Sequence, residues 1–71
     1  MTSTTLHVTI NGKDEELPAG LTVAALLERR GVHNAMVAVE HNGHILRRSQ
    51  FAEAQIAAGD KLEIVHFVGG G

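Results

Sequence analysis

The stretch Leu6-His7-Val8-Thr9-Ile10-Asn11-Gly12-Lys13-Asp14-Glu15-Glu16-Leu17 decides how the rest of the chain is read. Leu6, Val8 and Ile10 alternate with His7 and Thr9, the period-two pattern of a half-buried strand. Asn11-Gly12 follows at once. Both central positions of a type I′ turn need positive φ, which Asn and Gly adopt at low cost. A second strand is therefore predicted to return antiparallel from Lys13 to Leu17. Its run Asp14-Glu15-Glu16 marks an exposed edge strand. Successive strand residues face opposite ways and nothing adjacent would bury these acids, so the run reads as a solvated face, not an acid/base cluster. Pro18 and Gly20 end the strand.

Outward from this hairpin, Thr22 is placed to cap a helix. Leu21 and Leu26 have the spacing of a hydrophobic staple, and Ala25 leaves the capping box incomplete. Val23, Leu26, Leu27 and Arg30 share one side of the helix, with the aliphatic stem of Arg30 able to lie along apolar surface. Arg29-Arg30 followed by Gly31 ends it. Residues 35–39 form a short apolar run predicted to be a buried strand, and Asn42-Gly43 signals a second type I′ turn with His44–Leu46 returning. Residues 47–58 are mixed; Phe51, Ala52 and Ile56 are the anchors of a short helical turn and a connection. Ala58-Gly59-Asp60 then turns the chain into a last strand over 61–67. Leu62 and Ile64 take one face of it, and Glu63, Val65 and Phe67 the other. Hairpin, helix, hairpin, connection and strand cannot stack as βαβ units. The order predicts an α+β domain, a mixed five-stranded sheet with one helix packed across it, which is the β-grasp arrangement of ubiquitin-like proteins.

Composition narrows the function classes. Seventy-one residues hold one domain. A chain of that size buries about 60% of the surface its unfolded form exposes. There is no cysteine, which removes disulfide frameworks, thiol catalysis and Cys-based zinc or iron–sulfur sites. The net charge is −2, and basic residues pair up only at Arg29-Arg30 and Arg47-Arg48, so nucleic acid is not an expected partner. Two phenylalanines and no Trp or Tyr give no stacking platform for bases. No apolar run approaches the ~20 residues of a membrane span. Met1–Thr5 lack the basic-then-apolar order of a secretory signal, which points to the cytoplasm. The expected organisation is a disordered arm over 1–5, a β-grasp domain over 6–67 and a flexible glycine tail over 68–71.

Side-chain chemistry is sparse. Ser3 and Ser49 lack the flanking glycines of a nucleophile elbow, and no glycine loop suits a phosphate. His41 and His44 flank the second turn, but two imidazoles fall short of the three or four ligands of a zinc site, so no metal site is expected. That leaves Val68-Gly69-Gly70-Gly71. One reading is a frayed end. The other is a reactive one: Gly71 would present a carboxylate with no side chain around it, and Gly69 and Gly70 would let the backbone thread a channel that any Cβ would block. Extended, residues 68–71 reach roughly 13 Å. Val65 and Phe67 have two readings as well. They form an exposed apolar docking surface beside the tail, or strand twist buries Phe67.

Residues 63–71, Glu-Ile-Val-His-Phe-Val-Gly-Gly-Gly, closely resemble the C-terminus of the thiamin-pathway sulfur carriers, the ThiS family. The similarity extends back through Asn11-Gly12, Leu21-Thr22-Val23 with Leu26-Leu27, Ala38-Val39-Glu40 with Asn42-Gly43, Arg48-Ser49-Gln50-Phe51 and Gly59-Asp60-Lys61, covering about residues 6–71. Family members often have Pro where this chain has Arg47, and Thr2–Thr5 look like an added arm. The resemblance implies a carrier and not an enzyme. Gly71 would be adenylated by an E1-like enzyme that uses ATP and Mg²⁺, then converted to a thiocarboxylate by a persulfide sulfur donor. Thiazole synthase would receive the sulfur. Val65, Phe67 and Val68 would make the docking contact, and Asp14–Glu16 would complement a basic partner surface. His66 would help to position the tail. Alternatives from the same fold are a carrier for molybdopterin or another thiolation pathway, and a ubiquitin-like protein modifier.

Overall fold

A computed structural model of the chain describes residues 4–67. Residues 1–3 of the arm expected over 1–5, together with Val68, Gly69, Gly70 and Gly71, lie outside them.

Five strands form one mixed sheet. They are β1 (Thr5–Ile10), β2 (Lys13–Pro18), β3 (Val37–His41), β4 (His44–Leu46) and β5 (Lys61–His66). Their order across the sheet is β2-β1-β5-β3-β4. β1 pairs antiparallel with β2 and parallel with β5, and β3 pairs antiparallel with both β4 and β5. The last strand in sequence is thus central in space. One helix, α1 (Val23–Arg29), supplies the second layer, and the whole is the β-grasp fold. The core joins Val8 and Ile10 of β1, Leu26 and Leu27 of α1, Val39 of β3 and Leu62 of β5, all buried. Alternation in the strands and 3.6-residue spacing in the helix bring these apolar sets together.

Both hairpins turn as their sequences predict. Asn11 and Gly12 have φ of 52° and 80°, and Asn42 and Gly43 have φ of 53° and 84°. Both ends of α1 are capped. The Ala25 N–H donates to the Thr22 hydroxyl at 3.1 Å. The Gly31 N–H donates to the Glu28 carbonyl at 3.0 Å and the Val32 N–H to the Leu27 carbonyl at 2.9 Å, the double bond of a Schellman end with Gly31 at its positive-φ position.

The structure departs from expectation in three places. The sheet begins at Thr5, which pairs with Pro18, and the Ala19 N–H donates to the Thr4 carbonyl. Residues 4 and 5 therefore belong to the domain and not to a disordered arm. Residues 34–36 form a turn of 3₁₀ helix instead of opening the third strand. β3 pairs with β5 from Val37, opposite His66, and residue 36 meets the following chain only through its carbonyl, which accepts from the Phe67 N–H. Within 47–58, a second 3₁₀ turn spans Arg48–Gln50. The backbone that follows it supplies the missing acceptors of α1: Val23 N–H bonds the Ala54 carbonyl at 2.9 Å and Ala24 N–H the Phe51 carbonyl at 2.8 Å. Phe51 and Ile56 are buried, whereas Ala52 is exposed.

Candidate functional site

The region that stands out is the end of β5, where the sheet hands the chain on to the glycine run. Leu62 and Ile64 turn towards α1 and are buried. Val65 is 58% exposed and Phe67 55% exposed. The Phe67 N–H donates to the Met36 carbonyl at 2.8 Å. Twist does not bury its ring. Ile45 on β4 adds to the same outer face, 77% exposed, and it lines a shallow depression with Ala38, Glu40, Glu63 and Val65. Glu40 and Glu63 stand directly opposite each other on β3 and β5. The apolar patch is therefore edged by two carboxylates of like charge, an arrangement that costs stability across a ladder. Alternation places Glu63 on this face with Val65 and Phe67, but not Ile45, Ala38 and Glu40, because strand order decides which residues of other strands share it.

The acidic run of β2 divides by alternation. Asp14 and Glu16 lie opposite Thr9 and His7, and Glu16 pairs with His7 at 3.2 Å on the exposed side. Glu15 turns the other way and accepts from Arg30 of the helix end at 3.0 Å. Only two of the three carboxylates are thus available on the outer face. His66 is exposed opposite Val37.

Asn11 and Asn42, which the sequence marks as turn residues, also reach β5. The Asn11 carboxamide accepts from the Ile64 N–H at 2.8 Å and donates to the Ile64 carbonyl at 3.2 Å. The Asn42 carboxamide accepts from the Lys61 N–H at 2.8 Å and donates to Asp60 Oδ1 at 3.1 Å. Asp60 is the buried charged residue of the domain. Its Oδ2 lies 2.7 Å from His41 Nε2 and accepts from the Ala57 N–H at 2.8 Å. Burial alone would raise the Asp60 pKa, but hydrogen bonds from His41, the Ala57 N–H and Asn42 outweigh it and hold the carboxyl below its ordinary value. His41 and His44 do face each other in register, yet His41 is engaged by Asp60. Among the described residues no group of three His, Cys, Asp or Glu side chains could hold a metal ion. Among them, too, no helix is long and apolar enough to cross a membrane.

Comparison with known proteins agrees with the geometry. The ThiS family model matches residues 8–71. The sulfur carrier protein ThiS of Bacillus subtilis is 38% identical over 63 residues, covering 87% of this chain and 96% of that protein. A thiazole synthase of Paramagnetospirillum magneticum is 46% identical over 66 residues, covering 93% of this chain but 20% of that protein. A thiazole synthase of Magnetococcus marinus is 33% identical, again over 20% of its length. The chain therefore spans about a fifth of the length of these two relatives. The crystal structure of the thiamine biosynthesis protein ThiS from Geobacter metallireducens superposes with a TM-score of 0.76 at 37% identity, covering 93% of this chain and 100% of that one.

Proposed function

The chain belongs to the ThiS family of thiamine-biosynthesis sulfur carriers, and from that membership we propose that it carries sulfur on the carboxyl group of Gly71. The carboxylate attacks the α-phosphorus of ATP in the active site of an E1-like partner that holds Mg²⁺, and pyrophosphate leaves. The resulting acyl-adenylate is a mixed anhydride. The outer sulfur of a persulfide-bearing donor attacks the carbonyl carbon and AMP leaves, giving an acyl disulfide; a second thiol then cleaves the S–S bond, forming a disulfide with the donor's sulfur and releasing the thiocarboxylate. Thiazole synthase is the acceptor that this reading names. The match to a fifth of two thiazole synthases supports it, because a segment like this chain recurs within proteins of that name. In this scheme the chain is a substrate and not an enzyme, and it works in the cytoplasm. Gly69 and Gly70 give the passage into partner sites the narrowness that it needs. Val65, Phe67 and Val68 dock it, and the carboxylates of Glu40 and Glu63 favour a partner whose contact surface carries basic side chains.

One observation carries the reading: Val65 near the end of the central strand and Phe67 just after it are exposed apolar side chains, and the glycine run begins two residues later. Intact-mass spectrometry tests it, after incubation with ATP, Mg²⁺, an adenylating enzyme of this kind and a sulfur source. The expected result is the mass gain of one oxygen replaced by sulfur. A variant extended by one alanine beyond Gly71 should fold as before and gain nothing. An unchanged mass for the parent chain, sulfur transfer by the extended one, or covalent adducts of high mass on a denaturing gel would each sink the proposal.

A further inference from the structure

The outer face of the sheet joins opposite chemistries in a small space. Strand register lays Ile45, Glu40 and Glu63 in one row across β4, β3 and β5, and Ala38 and Val65 in the next. Ala38 has only a methyl group between larger neighbours. A depression of about 120 Å³ opens there, and these residues line it. Its apolar walls, Ile45 and Val65, are exposed. Directly opposite residues of such a ladder have Cβ atoms about 4.5–5.5 Å apart, so both carboxylates can reach one group set between them. The ion pairs of the described residues are His7–Glu16, Arg30–Glu15 and His41–Asp60, and neither Glu40 nor Glu63 takes part in one. Lys61, on the same face of β5 as Glu63, is not in one either.

The chemistry of the depression selects its occupant. A hard cation such as Ca²⁺ asks for about six to eight oxygen ligands, and Ile45, Ala38 and Val65 supply no side-chain oxygen. A wholly apolar side chain would strip water from the carboxylates and give them no partner. A lysine ammonium is a compact, strongly hydrated point charge. An arginine combines an aliphatic stem with a planar, forked guanidinium whose N–H groups can serve two carboxylates at once.

We propose that this depression receives an arginine side chain of the adenylating partner, with its stem against Ile45 and Val65 and its guanidinium bridging Glu40 and Glu63. The inference rests on the carrier reading above and deepens it, by naming the group through which the partner reads this face. It accounts for two like charges standing in register where they cost stability. The free protein bears that repulsion, and the guanidinium removes it in the complex. Neutralising either carboxylate should then relieve the free domain and weaken the complex. The contact is one of docking, present before and during the chemical step alike, so its loss should raise KM for the carrier and leave kcat near the parent value.

The test compares the parent chain with Glu40→Gln, Glu63→Gln, the variant carrying both and Glu53→Gln in ATP–pyrophosphate exchange with the adenylating enzyme, alongside urea denaturation. Glu53 is exposed in the connection after β4. Its change removes the same charge at a distance and so registers the general effect of net charge. Glu40→Gln and Glu63→Gln should each raise KM about fivefold or more at nearly constant kcat. Neither should lower the urea midpoint. Glu53→Gln should keep KM within about twofold of the parent. Phenylglyoxal, which modifies arginine, identifies the partner group. The parent chain and Glu53→Gln should shield one arginine of the enzyme from it, read from the enzyme's peptide masses, and the double variant should not. The inference is overturned if the double variant matches the parent in KM, or if Glu53→Gln raises KM as much as Glu63→Gln. It is equally overturned if the parent shields no arginine, or if the neutral variants lose stability in step with binding. If the parent chain itself supports no exchange, the carrier reading fails and this inference fails with it; a working parent beside an unaffected double variant sinks this inference alone.

Discussion

Phe51 and Phe67 show two uses of the same side chain. Phe51 is 2% exposed and closes the core, while Phe67 keeps more than half its surface in water. A buried ring stabilises the fold; an exposed ring in an apolar patch gains its burial when a partner arrives. Phe67→Ala should therefore weaken binding to the adenylating enzyme by more than about 1 kcal/mol. Its unfolding free energy should stay within about 0.5 kcal/mol of the parent. Titration calorimetry and urea denaturation measure the two, and a large stability loss with unchanged binding would show Phe67 to be core. The exposure of Phe67 was open in the sequence, because alternation places it on the outer face while strand ends twist. The roles of Asn11 and Asn42 beyond their turns were not legible at all. Contacts between residues 53 positions apart leave no trace in a local pattern.

At the scale of elements, α1 shows why a weak sequence signal can mark a strong structural joint. The capping box is incomplete, yet the first N–H groups of the helix all have acceptors: Ala54 and Phe51 carbonyls for Val23 and Ala24, and the Thr22 hydroxyl for Ala25. Two of the three acceptors are backbone carbonyls, which any residue type could provide. For that reason the sequence of residues 47–58 shows its apolar anchors and a short helical turn but not its role in closing the helix start. The hairpins and the helix, by contrast, depend on side-chain identity at few positions, Asn-Gly twice and Thr22 with Gly31, and these were readable. Thr22→Ala should cost about 1 kcal/mol, one lost cap bond, and Thr22→Ser much less. Phe51→Ala should cost about 3–5 kcal/mol through the cavity it leaves and the joint it loosens. Urea midpoints with unchanged m-values would confirm this order, and a Thr22→Ala loss equal to that of Phe51→Ala would contradict it.

For the whole molecule, the Asp60 side chain ties two parts together: the β3–β4 turn through His41 and Asn42, and the loop before β5 through the Ala57 N–H. Its carboxyl is held below the ordinary value of 3.8, so the folded state favours the ionised form. A depressed folded pKa contributes stability that is fully present above the unfolded value and is lost as pH falls through the folded one. Unfolding free energy should therefore drop as pH is taken below 3.8. Asp60→Asn should be less stable at neutral pH and flatter across that acid range. Denaturation curves at the two ends of the range check this, and an equal acid slope in both proteins would place the pH dependence elsewhere.

The sheet order has a consequence for how the chain is made. β5 joins the two hairpins, yet it is the last of these five strands to be synthesised. Until residues 61–66 exist, the β1–β2 hairpin and the β3–β4 hairpin have no common neighbour, and the apolar side of α1 has an unfinished sheet to lie on. Folding thus waits for the strand that leads directly into the glycines. A copy cut short before that strand would lack both its central ladder and its delivery end, and would present itself to proteases as an open chain.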